Sequence, residues 1–249
     1  MQRPVFVANW KMHHGPSDSR AFMRSFLARY PRRSDRTVIF LPPAVSLLAV
    51  AEALRERPDI RLGIQNIFWE DQGAYTGEVS APMARDAGAS VALVGHSERR
   101  RIFGESDEQV ARKVAAAVRA GLAPLLCVGE TLEERRAGRA REVVLTQLRA
   151  GLSAIEPHQA AGMIIAYEPV WAIGSGEHAR PEDAAEIHAE IRAELRAQIG
   201  ERGRAAPILY GGSVNRGNVA ELLACSEIDG LLVGGASLDV EVWCSIVRT

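Results

Sequence analysis

Eight short apolar runs punctuate the chain: Val5 to Trp10, Thr37 to Leu41, Ile60 to Ile64, Val91 to Gly95, Ala123 to Val128, Met163 to Tyr167, Pro207 to Tyr210 and Gly230 to Val233. Their apolar character is nearly continuous rather than alternating, as in Val91-Ala92-Leu93-Val94 and Ile164-Ile165-Ala166. Such runs suit strands of a parallel sheet that is covered on both faces. Amphipathic stretches lie between them: Ser19 to Tyr30, Ser46 to Arg57, Ser106 to Ala120, Ala140 to Ser153, Pro181 to Ile199 and Val219 to Ala224. Val110, Val114 and Val118 fall four apart and form one helical stripe. Ser106 or Asp107 is placed to cap that helix and Gly121 to end it, while Pro181 suits a first helical turn. Strands alternating with helices predict a parallel α/β fold. A closed (β/α)8 barrel fits the count of eight and the 249-residue length better than a doubly wound sheet. No Pro- or Ser-rich linker divides the chain, so one domain over 1–249 is expected. The dinucleotide-binding Gly pattern is absent after the first run, where Asn9-Trp10-Lys11-Met12 stands instead.

An apolar content of 47% supports a sizeable core. Thirty basic and thirty-one acidic side chains nearly cancel, so no global field draws the chain to nucleic acid or an anionic membrane. The runs Arg99-Arg100-Arg101 and Arg135-Arg136 read as helix surfaces. Three cysteines, Cys127, Cys225 and Cys244, are odd in number and lack metal-ligand spacing, which disfavours a disulfide framework and suits a reducing compartment. The N-terminus has no basic region followed by an apolar core, and no apolar run approaches membrane-spanning length. A cytoplasmic protein with neither nucleic-acid nor membrane partners is expected.

In a barrel of this kind the chemistry sits where strands end. The first run ends in Asn9 and Lys11, the fourth in Gly95-His96-Ser97-Glu98, and the sixth in Glu168, followed by a loop punctuated by Gly174 and Gly176. A carboxylate at a strand tip, with a flap directly after it, suits an enzyme that deprotonates carbon while excluding water. A solvated Glu before an ordinary turn is the plainer reading. Gly211-Gly212-Ser213 and Gly234-Gly235-Ala236-Ser237 follow the last two runs. Placed between strand and helix, such pairs let backbone N–H groups approach an anion, with the helix N-terminus adding a favourable dipole. Either pair alone is commonly just a tight turn. Lys11 would bring positive charge to a bound phosphate and a developing oxyanion, and Asn9 a hydrogen bond to the same oxygen. His96 stands where a helix opens, and the positive end of that dipole disfavours an imidazolium. A neutral imidazole there can polarise a carbonyl and relay protons between oxygens. His13-His14 lacks a third ligand, so no metal is expected.

Taken together, these segments resemble the triosephosphate isomerase family. The matching motifs are Asn9-Trp10-Lys11-Met12, Gly73-Ala74-Tyr75-Thr76-Gly77-Glu78, Gly95-His96-Ser97-Glu98-Arg99-Arg100, Cys127-Val128-Gly129-Glu130, Ala166 to Gly176, Tyr210-Gly211-Gly212-Ser213-Val214 and Val233-Gly234-Gly235-Ala236-Ser237-Leu238. They occur in the family's order along nearly the whole chain. The resemblance implies a TIM-barrel isomerase interconverting dihydroxyacetone phosphate and D-glyceraldehyde 3-phosphate through an enediolate, in glycolysis and gluconeogenesis, with no cofactor. It implies that Glu168 is the base, His96 the neutral electrophile, and Lys11 and Asn9 the groups that stabilise the enediolate, with Glu98 acting from behind Lys11. Backbone N–H groups around Gly174, Ser213, Gly234 and Gly235 would hold the phosphate. Pro169, Val170, Trp171, Ala172 and Ile173 would begin a lid running to Ala179, latched by Tyr210 and Ser213.

The loop Asp71 to Glu78 would insert beside the site of a second subunit, bringing Thr76 to the neighbour's Asn9–Lys11 region in a homodimer. Trp69 and Tyr75 are the large apolar groups that such a partner would cover, and Cys127 would pack near Glu168 without a catalytic role. Ser175 stands where Thr is usual, and His13 replaces a common Asn. A four-carbon sugar phosphate as substrate is the nearest alternative. A silent phosphate-binding barrel is the other, opposed by the joint presence of Lys11, His96 and Glu168.

Overall fold

The computed structural model describes residues 1–173 and 179–249. Eight parallel strands close into a barrel in sequence order: β1 (Val5–Asn9), β2 (Thr37–Leu41), β3 (Ile60–Ile64), β4 (Val91–Val94), β5 (Ala123–Val128), β6 (Ile164–Tyr167), β7 (Ile208–Tyr210) and β8 (Gly230–Val233). The ring closes where Val5 to Ala8 pair with Gly230 to Val233. Eleven α-helices surround it among the described residues. They are α1 (Pro16–Arg29), α2 (Leu47–Ala53), α3 (Ala81–Asp86), α4 (Ser97–Phe103), α5 (Asp107–Arg119), α6 (Leu132–Arg136), α7 (Ala140–Leu152), α8 (Pro181–Ile199), α9 (Glu201–Ala205), α10 (Val219–Ala224) and α11 (Val240–Ile246).

Strand periodicity sets what reaches the mouth of the barrel. Successive side chains on a strand face opposite ways. One set (Val5 and Val7, Ile39 and Leu41, Leu125 and Cys127, Ile164 and Ala166, Leu209, Leu232) packs together as one cluster inside the barrel. The alternate set (Phe6 and Ala8, Val38 and Phe40, Leu126 and Val128, Ile165 and Tyr167, Leu231 and Val233) belongs to the cluster shared with the helix layer. Both sets are buried, which explains the unbroken apolar runs. Continuing the inward parity by one step at each strand end delivers Asn9, Glu168, Gly211 and Gly234 to the same rim.

The expected helices form, with one notable shortening: α2 ends at Ala53, not Arg57. Pro58 disfavours helical geometry at the preceding residue, and Arg57 instead pairs with Asp59 at 2.7 Å. Ser106 rather than Asp107 caps α5, through a reciprocal box with Gln109. Helices α3, α6, α9 and α11 span only five to seven residues each, too few turns for a periodic signal. The arginine runs are not simply solvated faces. Arg99 pairs with buried Glu105 at 2.6 Å, Arg100 with Asp107 at 2.5 Å, and Arg135 with fully buried Glu130 at 3.2 Å.

Candidate active site

One cavity of about 250 Å³ opens at the carboxyl ends of the strands, lined among others by Asn9, Lys11, His96, Glu168, Ser213 and Gly234. Lys11 takes a left-handed backbone conformation, φ 51°, unusual for a residue with a side chain. Two partners hold it there: the Asn9 Oδ1 accepts from the Lys11 N–H at 3.1 Å, and Gln65 Nε2 donates to the Lys11 carbonyl at 2.9 Å. The side chain then runs across the rim, with Nζ 2.7 Å from Glu98 Oε1. Its Cε lies so close to Gly234 that a Cβ there would sit 3.2 Å away. Partial burial pushes the Glu98 carboxyl up, but the Lys11 hydrogen bond and charge outweigh it and hold it below the usual range. Lys11 and Lys113 are the chain's only lysines.

His96 is the N-cap of α4, and its Nδ1 accepts from the Glu98 N–H at 3.2 Å. A ring nitrogen that accepts a hydrogen bond carries no proton, so the neutral tautomer has its N–H at Nε2. That atom lies 3.0 Å from Glu168 Oε1. Glu168 is 2% exposed, which replaces the reading of a solvated strand-end carboxylate. Ser97 holds the same carboxylate from behind, its N–H donating to Oε2 at 3.0 Å and its hydroxyl to Oε1 at 3.2 Å. Cys127 packs beside it; burial first and the Glu168 charge second push that thiol well up.

The backbone under Glu168 is equally confined. A Cβ on Gly129 would stand 1.8 Å from the Glu168 carbonyl oxygen, and one on Gly211 would stand 2.9 Å from Glu168 Cγ. Gly129→Ala is therefore expected to displace the Glu168 backbone, lowering stability by about 1–3 kcal/mol and kcat by about 10²-fold, checked by thermal melts beside steady-state rates.

The two Gly segments differ. Gly235–Ser237 forms a 3₁₀ turn directly after Gly234, and Gly234, Gly235 and Ala236 line the cavity. After β7 no helix begins until Val219; the expected helix N-terminus is absent there, and Gly212, Ser213 and Val214 line the cavity as loop. Tyr210 is buried; burial pushes its phenol up to about 12, and a hydrogen bond with the Ala179 backbone opposes that rise.

Pro169 and Ala172 are buried, Val170–Ala172 form one 3₁₀ turn, and Ile173 lines the cavity. Gly174 lies outside the described residues. Glu130, 0% exposed, accepts from Tyr167 Oη at 3.0 Å and Trp171 Nε1 at 2.9 Å. Thr76 is exposed on its loop and takes no part in the cavity of its own chain. Trp69 is not bare as expected: Phe68 packs on it at 4.1 Å and the Arg112 guanidinium covers it at 4.5 Å, whereas Tyr75 remains 45% exposed. His14 stands edge-on to Trp10 and bonds the Leu238 carbonyl. Gln65, Ser97 and Glu130 were missed by sequence reasoning as site-forming groups; only Ser97 and Glu130, inside the quoted motifs, carried a usable signal.

A closed (β/α)8 barrel whose rim gathers an ammonium, an imidazole and a carboxylate around one cavity places the chain among the barrel enzymes. The triosephosphate isomerase family model matches residues 4–249. Triosephosphate isomerase of Moorella thermoacetica is 47% identical over 248 residues, covering 100% of this chain and 99% of that protein. That of Solibacter usitatus is 44% identical over the full length of both. The crystal structure of triosephosphate isomerase from Bartonella henselae superposes with a TM-score of 0.88 at 39% identity, covering 99% of this chain and 98% of that one. The chain belongs to the triosephosphate isomerase family.

Proposed function

We propose that this chain interconverts dihydroxyacetone phosphate and D-glyceraldehyde 3-phosphate, with Glu168 as the base. The observation that carries the reading is the meeting of Glu168 and His96 Nε2 at 3.0 Å on the wall of a cavity that Lys11 also lines. Glu168 removes a proton from the carbon beside the substrate carbonyl. His96, its Nε2–H turned from Glu168 Oε1 to the substrate, polarises that carbonyl and passes a proton between the two oxygens of the enediolate. The Lys11 ammonium and the Asn9 side chain stabilise the negative oxygen. Glu168 then returns its proton to the neighbouring carbon, so no proton is lost. Backbone N–H groups of Ser213, Gly234 and Gly235, with Gly174, take the phosphate. To act, the Glu168 carboxylate must exchange its Ser97 hydrogen bonds for the substrate C–H.

Pro169 to Ile173 begin the lid, and the Tyr210 hydroxyl, which bonds the Ala179 backbone, is a latch for it, with Ser213 beside it. A homodimer is supported by Met12, Val45, Leu48, Met83, Ile102 and Phe103, all large, apolar and exposed, and all on connections that follow β1 to β4. One flank of the barrel thus carries uncovered apolar surface. A second cavity, of about 180 Å³, lies on that flank against Lys11, Met12 and Phe103, and is a seat for the partner's loop tip around Thr76. Among the described residues no helix is long and apolar enough to cross a membrane.

A coupled assay with glyceraldehyde 3-phosphate tests the activity. Turnover is expected without added cofactor, unchanged by a chelator, and competitively inhibited by a planar phosphate-bearing enediolate mimic. Faster turnover of a four-carbon sugar phosphate under the same conditions would reassign the substrate.

A further inference from the structure

Gln147 lies on α7, in the helix layer outside the barrel, yet its carboxamide grips the rim. Its Oε1 accepts from the Gly129 N–H at 2.8 Å, and its Nε2 donates to the Gly129 carbonyl at 3.1 Å. Gly129 is the first residue past β5, and its backbone is pressed against that of Glu168 with no room for a side chain. The next residue, Glu130, carries the loop after β6. Its carbonyl accepts from the Val170 N–H at 3.1 Å, and its carboxylate accepts from Tyr167 and Trp171. The segment Gly129-Glu130 therefore bears both the backbone of the base and the first turn of the lid, and one side-chain amide fixes that segment at both its N–H and its C=O.

We propose that Gln147 is a positioning residue for proton transfer: by clamping Gly129 it sets where the Glu168 carboxylate and the Trp171 turn stand. This rests on the isomerase reading above. Misplacing a reacting group by about 1 Å costs about 10²-fold in rate, and a base seated on an unclamped loop is open to such a shift. A plain structural role, two backbone groups satisfied by an amide, would lower thermal stability and leave turnover alone.

The test compares the parent chain with Gln147→Leu and Gln147→Glu in the coupled assay, well below each melting temperature. Parent turnover comes first, so failure of the isomerase reading is seen separately from failure of the clamp. Gln147→Leu is expected to lower kcat about ten- to a hundredfold and to move KM less than about twofold, because the phosphate cradle stands on β7 and β8. Gln147→Glu can still accept from the Gly129 N–H, but when ionised it sets oxygen against the Gly129 carbonyl. Protonation through the carboxylate range restores the donor. Its kcat relative to the parent at the same pH should therefore rise as pH falls from about 7 to about 5. If Gln147→Leu fails to fold, that pH-dependent ratio alone decides. Parental kcat in both variants, or a Gln147→Glu deficit that is flat with pH, would overturn the proposal.

Discussion

Glu168→Gln is expected to lower kcat by about 10²- to 10⁴-fold, the span that a positioned general base contributes, while affinity for inorganic phosphate stays near parental. The amide keeps the shape of the side chain at this 2%-exposed position and removes its basicity, at the cost of one oxygen that accepted from Ser97 or His96. Glu168→Asp separates position from basicity. Its carboxylate remains a base but withdraws by one methylene, and about 10²-fold in kcat should go with that retreat. Rates in the coupled assay, read beside phosphate binding, check both. A Glu168→Gln enzyme with more than a tenth of parental kcat would remove Glu168 from the role of base.

The second large effect is on stability. Glu105 and Lys113 form a pair of 2.5 Å whose side chains are 2% and 4% exposed. Glu105 also accepts from Arg99 at 2.6 Å and from the Gly95 N–H at 3.2 Å, and Lys113 donates to Asn66 at 2.7 Å. Burial pushes the Glu105 carboxyl up, but Lys113 and Arg99 outweigh it and hold it low; burial pulls the Lys113 ammonium down, with Glu105 opposing. The carboxylate, with three donors, is the better-satisfied partner. Removing either side leaves a charge in the interior, so Lys113→Met and Glu105→Leu should each cost about 3–5 kcal/mol, whereas the double variant should recover part of the loss, Arg99 and the Gly95 N–H still lacking their acceptor. Because the Glu105 value is depressed, its contribution is present above the unfolded carboxyl range near pH 4.3 and is lost as pH falls through the lower folded value. Denaturant midpoints of the two single variants and the double variant, at neutral and acid pH, measure this. Single variants within about 1 kcal/mol of the parent would refute it.

The barrel was legible because closure imposes a chain-wide regularity: eight strands buried on both faces leave eight apolar runs, and the period of two carries straight on to Asn9 and Glu168. His96 and Glu98 were legible because they sit where a strand stops and a helix starts. What escaped was of another kind. Gln65 reaching the Lys11 carbonyl and Gln147 reaching Gly129 are pairings between residues far apart in sequence, and a lone glutamine on an ordinary segment carries no periodic mark. Burial of Glu105 with Lys113 was hidden for the same reason, since each charge by itself reads as surface. The covering of Trp69 depends on α5 supplying Arg112, which no local pattern around Trp69 announces.

Arginine supplies nearly all of this chain's positive charge, and Lys113 is shut away, so Lys11 and the chain's N-terminus are its accessible primary amines. An amine-selective acylating reagent thus has one internal target, and that target lines the substrate cavity. Counting acyl groups by intact mass, with and without phosphate present, becomes a footprint of the binding pocket taken without any substitution.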